Sequence, residues 1–145
     1  MDLVLDTSVI AKWFIHPPED DLDAALEIRH RIVDAELDLI VPDLIFYELA
    51  NVLRYQPQLG AEEVASALDS LETMDLDIRP FSYPLGKEAA QLAKAAGITV
   101  YDAYFIVFAE AFDCPVVTAD RRCYARVRGR PSVKLLRTWG RVTDE

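Results

Sequence analysis

Short apolar runs alternate with longer amphipathic stretches along the whole chain. Leu3-Val4-Leu5 predicts a strand, and the helix-starting residues Asp6, Thr7 and Ser8 lead into a short helix over 9–15, halted by Pro17 and Pro18. Acids at Glu19, Asp20, Asp21 and Asp23 precede Ala24, Leu26, Ile28, Ile32 and Val33 at helical spacing, the pattern of a second helix. Leu37, Leu39, Ile40 and Val41 form the next strand, closed by Pro42. Asp43 then opens a helix to about Tyr55, and 61–74 reads as another. A weaker strand covers 77–81, helices cover 85–96 and 100–112 with Gly97 between them, and Pro115-Val116-Val117-Thr118 is a strand. An arginine-rich helix starts at Asp120, and Val133-Lys134-Leu135-Leu136 closes the series as a last strand. Apolar strands alternating with helices predict an α/β fold around a mostly parallel sheet, whose ligands bind beyond the carboxyl ends of the strands.

Four acids fall where that edge is expected. Asp6 follows the first strand, and Asp120 stands two residues after Thr118. An N-cap explains either one alone. On a wheel at 100° per residue, Glu48 falls inside the apolar arc of its helix, between Leu44 and Val52, with Asn51 placed to donate to it. A carboxylate there needs a cation, a metal or a raised pKa, unless it reaches outward from the margin of the core. Asp102 lies in the first turn of a helix apolar on nearly every face, where Thr99-Val100-Tyr101-Asp102 also fits a capping box. Carboxylates within ~4 Å repel by several kcal/mol at an effective dielectric near ~20, so a converging set calls for a cation. Oxygen donors without a nearby His or Cys select Mg²⁺ or Mn²⁺ over zinc. His16 and His30 read as surface residues.

The chain has 145 residues, 52% of them apolar, enough to bury a core as a single domain over 1–145 without a disulfide or metal staple. No apolar run is long enough to span a bilayer. No leader is visible, and Cys114 and Cys123 form no framework, so a reduced cytoplasmic setting is expected. The net charge of −10 argues against a nucleic-acid partner until it is divided. Residues 1–113 carry 22 acids and 7 bases, whereas 114–145 carry 3 acids and 8 bases. Arg121, Arg122, Arg126, Arg128 and Arg130 supply most of that basic segment, either as a solvated helix face or as a stripe for phosphates.

Leu3-Val4-Leu5-Asp6-Thr7-Ser8, Pro42-Asp43-Leu44-Ile45-Phe46-Tyr47-Glu48-Leu49-Ala50-Asn51-Val52-Leu53, Tyr101-Asp102-Ala103 and Val117-Thr118-Ala119-Asp120-Arg121-Arg122 together resemble a PIN domain, above all the VapC type of toxin ribonuclease. The resemblance implies a three-layer α/β/α sandwich with sheet order 3-2-1-4-5. It implies Asp6, Glu48, Asp102 and Asp120 as ligands of Mg²⁺ or Mn²⁺, some through water, with Ser8 and Thr118 orienting a carboxylate or water. It further implies cleavage of single-stranded or looped RNA to a 3′-hydroxyl and a 5′-phosphate, pairing as a homodimer, and inhibition by a small VapB-like antitoxin. Apolar positions on the helices from Asp43 and Ala61 are the candidate dimer surface. Arg121, Arg122 and Arg126 are the candidates for holding an RNA backbone. Some PIN domains place a further acid two or three residues beyond the position of Asp120; here those places hold Arg122 and Cys123. Three other readings remain. A PIN nuclease of RNA processing or decay has no antitoxin. A receiver-like phosphoacceptor wants an acid pair after the first strand and a lysine after the last, where this chain has Thr7, Ser8 and arginines. A non-catalytic interaction module has no need of four acids.

Overall fold

A computed structural model describes residues 1–16 and 21–142, the last three by backbone alone. Five strands, β1 (Asp2–Leu5), β2 (Asp38–Pro42), β3 (Asp77–Arg79), β4 (Val116–Thr118) and β5 (Val133–Leu135), form one sheet in the order β3-β2-β1-β4-β5. All four pairings are parallel. The α/β class and the strand order agree with the expectation from sequence.

The chain builds one half of the sheet outward from β1 to β3, then returns to place β4 on the other side of β1. Because crossovers between parallel strands are right-handed, reversing direction puts the helices of the two halves on opposite faces. It also leaves a crevice beyond the carboxyl ends of β1 and β4, where the two connections diverge. The backbone is tightly joined there: Val4 N–H donates to Pro115 O at 2.9 Å and Asp6 N–H to Val117 O at 3.2 Å.

α6 (Val100–Ala111) is the central helix, in contact with β1 and β4 and paired along its length with α5 (Tyr83–Ala96). Residues 103 to 109 are buried without a break, as expected for a helix apolar on nearly every face. α3 (Leu44–Arg54) buries Ile45, Leu49 and Leu53 and packs on α4 (Ala61–Glu72).

Several boundaries differ from the sequence reading, most by one or two residues. The helix expected over 9–15 is α1 (Thr7–Ile10), followed by a 3-10 turn at Ala11–Trp13. Tertiary contacts fix that tighter turn: Lys12 forms a buried ion pair with Asp21 at 3.1 Å, and the Trp13 indole donates to Ala25 O at 2.9 Å, tying the turn to α2 (Leu22–Val33). Pro17, Pro18, Glu19 and Asp20 lie outside the described residues. β3 stops at Arg79 because Pro80 has no N–H for the ladder. α5 starts at Tyr83, since the Ser82 hydroxyl caps it and Pro84 is tolerated in a first turn. The last strand ends at Leu135 and a helix, α8 (Leu136–Val142), follows it and packs on α2. Its apolar signal, Leu136, Trp139 and Val142 within seven residues, is too short to read as helical in sequence.

Phe105 is 1% exposed at the middle of α6. Phe105→Ala is expected to cost about 3–5 kcal/mol in urea denaturation, and a loss below 1 kcal/mol would contradict the central place given to α6.

Candidate functional site

The crevice between β1 and β4 holds Asp6, which caps α1 and is 6% exposed. Its carboxylate accepts the Ser8 N–H at 3.0 Å and the Ser8 hydroxyl proton. Ser8 Oγ in turn accepts the Ala119 N–H at 2.9 Å and lies 3.4 Å from Thr118 Oγ1, which accepts the Asp120 N–H at 3.0 Å. One side-chain chain therefore links the ends of β1 and β4. Asp120 is exposed at the start of α7 (Arg121–Val127), where it accepts the N–H groups of Arg122 and Cys123, both at 3.0 Å.

Glu48 is half-buried at the margin of α3, and it accepts the Thr7 hydroxyl at 2.9 Å. The expected donor, Asn51, is exposed one turn on, and the hydrogen bond comes from Thr7. No sequence signal singled out Thr7 for this, because the contact joins residues 41 positions apart. Asp102 is also half-buried, with Thr99 Oγ1 accepting its backbone N–H at 3.0 Å.

The electrostatics tie these acids together. Burial raises Asp6 from 3.8 to about 7, against hydrogen bonds from Ser8 and Thr118 that lower it, and the charge of Asp102 raises it further. Glu48 is raised by burial, lowered by its bond from Thr7 and raised again by Asp102. Asp102 is raised by burial first and then by Asp120, against a hydrogen bond with Thr99. Cys123 is pushed up to about 12 by burial, then by the charges of Asp102, Asp6 and Asp120, so it stays a neutral thiol. Asp102 is thus the acid that the other three share. Among the described residues, no three His, Cys, Asp or Glu side chains are grouped closely enough to hold a metal ion as they stand. The donors are carboxylate and hydroxyl oxygens, and their mutual repulsion is what a hard divalent cation relieves.

A cleft of about 230 Å³ opens beside these groups, lined by Asp102, Asp120, Arg122, Cys123, Arg126 and the Gly97–Thr99 turn. Arg126 donates to Gly97 O at 2.9 Å. Gly97 has a left-handed φ of 71°, and a Cβ there would lie 2.7 Å from the Arg126 guanidinium, so glycine suits both the backbone and the arginine. The basic stripe expected from sequence is divided among different places. Arg122 and Arg126 line the cleft, and Arg121 is exposed outside it. Arg130 is held by Glu110 through two bonds of 2.6 and 3.1 Å, with Ser132 as a further donor to the same carboxylate. A larger hollow of about 440 Å³, lined by Tyr124, Arg128, Lys134 and Trp139 among others, contains none of the acids.

The folded chain keeps the Asp6 proton up to about pH 7, whereas the unfolded chain releases it near 3.8. Stability from the neutral carboxyl is therefore complete at low pH and lost as pH rises through about 7, a change on the order of 4 kcal/mol. Asp6→Asn keeps a capping oxygen and removes the titration. Without divalent cations it is expected to melt several degrees above the parent at pH 8, with the gap closing toward pH 4. An equal or lower melting temperature at pH 8 would contradict the burial given to Asp6.

Known proteins resemble this chain along most of its length. The PIN domain family model matches residues 3–130. The ribonuclease VapC3 of Pyrobaculum aerophilum is 32% identical over 126 residues, 84% of this chain and 92% of that protein. The exonuclease VapC9 of the same organism is 30% identical over 109 residues, 75% of this chain and 78% of that protein. Among solved structures, VapBC2 from Rickettsia felis, bound to a DNA fragment from its promoter, superposes with a TM-score of 0.66 at 18% identity, covering 93% of this chain and 97% of the other. That likeness carries the fold, and the two sequence matches carry the kinship: the chain belongs to the PIN-domain family, in its VapC branch.

Proposed function

We propose that the chain is a divalent-metal-dependent endoribonuclease and the toxin of a toxin–antitoxin pair. The observation that carries this reading is the set of acids coupled through Asp102, one of them a fully buried carboxylate raised to about 7. Asp6, Glu48, Asp102 and Asp120 would hold Mg²⁺ or Mn²⁺, some through water. When bound, the ion supplies positive charge that activates water and neutralises the phosphate under attack. The chain's own residues set the geometry. Ser8 and Thr118 fix the Asp6 carboxylate, and Thr7 fixes Glu48. Arg122 and Arg126 on the rim of the cleft are placed for the RNA backbone. With Arg122 and Cys123 beyond Asp120, four acids are the whole proposed set.

Partners and setting follow from kinship. A VapB-like antitoxin, pairing with a second copy, and a cytoplasmic location are proposed with the VapC reading. Among the described residues, no helix is long and apolar enough to cross a membrane. The relative named an exonuclease favours a second reading, in which the same site trims RNA from an end.

A circular single-stranded RNA separates the two. Internal cleavage is expected in Mg²⁺ or Mn²⁺, with no product in chelator, and a circle left intact while its linear form is degraded would favour trimming. Asp6→Asn and Asp102→Asn are each expected to slow cleavage on the order of 100-fold or more. Full activity in either variant would overturn the residue assignment.

A further inference from the structure

Two of the four acids are preceded directly by an exposed tyrosine: Tyr47 before Glu48 and Tyr101 before Asp102. Tyr47 is 79% exposed and Tyr101 56%. Neither side chain has a hydrogen bond or ring contact among the described residues. Both stand in the first turn of their helices. Asp43, at the start of α3, donates its N–H to Arg79 O at the end of β3. Two residues beyond that carbonyl lies Phe81, and its ring meets Tyr83 edge-on at 5.3 Å and stacks on Tyr104 at 5.6 Å, one turn along α6 from Tyr101. Tyr47 thus stands on α3, which follows β2, and Tyr101 on α6, which packs on β1 and β4, each directly beside one of the acids coupled through Asp102. Arg122 and Arg126 line the cleft together with Asp102 and Asp120.

Exposed single apolar residues are ordinary, but rings flanking a carboxylate cluster are placed where they contribute nothing to the core. The residues one and two turns beyond Tyr47 are Asn51 and Arg54, a polar strip beside the exposed Val52 and Tyr55 toward the end of α3. Nucleobases offer the complementary chemistry. Every base has a flat π-face, and stacking on an aromatic side chain contributes about 1–3 kcal/mol per base.

We propose that Tyr47 and Tyr101 are base-stacking residues, which seat unpaired nucleobases beside the acids while Arg122 and Arg126 hold phosphate. The inference rests on the ribonuclease reading and deepens it. A strand seated on the rings and the arginines then has its backbone held against the acids. Paired bases already stack on one another and offer no free face, so the rings act on single strands.

The test reads binding in full-length Asp6→Asn protein, which keeps the cap on α1 and does not consume the probe. A labelled single-stranded RNA of mixed sequence is titrated by fluorescence anisotropy, with the same sequence as a blunt duplex alongside. Added Tyr47→Ala or Tyr101→Ala is expected to weaken single-strand affinity on the order of 10-fold, Tyr→Phe to restore it, and duplex affinity to stay within twofold. Unchanged affinity in the alanine variants, no rescue by phenylalanine, or equal loss on duplex would overturn the proposal. So would a change of oligomeric state in sedimentation accompanying the loss, because the rings would then belong to a protein interface. Cleavage by the parent chain is scored separately: if it cuts no RNA while the stacking pattern holds, the ribonuclease reading falls and the stacking residues stand.

Discussion

Burying a carboxylate where two parallel strands part is the constraint on which the rest of this molecule depends. Asp6 sits at the crevice because β1 is the central strand and β4 returns to its far side. Desolvation there raises the cost of its charge, and Ser8 and Thr118 recover only part of it. The remaining acids aggravate that cost, since Asp102 couples to Asp6, Glu48 and Asp120. A fold that needed only helix caps here has no reason to bring four acids within one another's fields. The arrangement is unfavourable for an apo protein and favourable for one that concentrates divalent cations.

Charge distribution follows the same logic at larger scale. The net −10 conceals a C-terminal segment rich in arginine, and the fold apportions those arginines. Arg130 is taken by Glu110 to fasten the loop before β5 to α6, which leaves Arg122 and Arg126 at the cleft. Phosphate binding needs cations only where the strand passes, so an acidic protein can hold RNA through a short basic rim beside a metal site.

Much of this was legible in the sequence, for identifiable reasons. Leu3-Val4-Leu5 and Val116-Val117-Thr118 are short, apolar and bounded, so both strands and the acids after them could be placed. α6 was plain because its buried residues run unbroken. What escaped depends on contacts far apart in the chain or on very short signals. The tight turn at Ala11–Trp13 is set by Asp21 and Ala25 from another helix. Thr7 bonds Glu48 across 41 residues. Helix α8 is only seven residues long, and the removal of Arg130 from the basic stripe needed Glu110 in space. Local pattern reports elements and candidate acids; partners are decided by topology.

The most direct test follows the carboxyl carbon of Asp6 by nuclear magnetic resonance through a pH titration, first in chelator and then in excess Mg²⁺. The account predicts a midpoint near 7 without the ion and a fall well below it once Mg²⁺ is present. A midpoint in the ordinary aspartate range without the ion, or one that Mg²⁺ leaves unmoved, would contradict it.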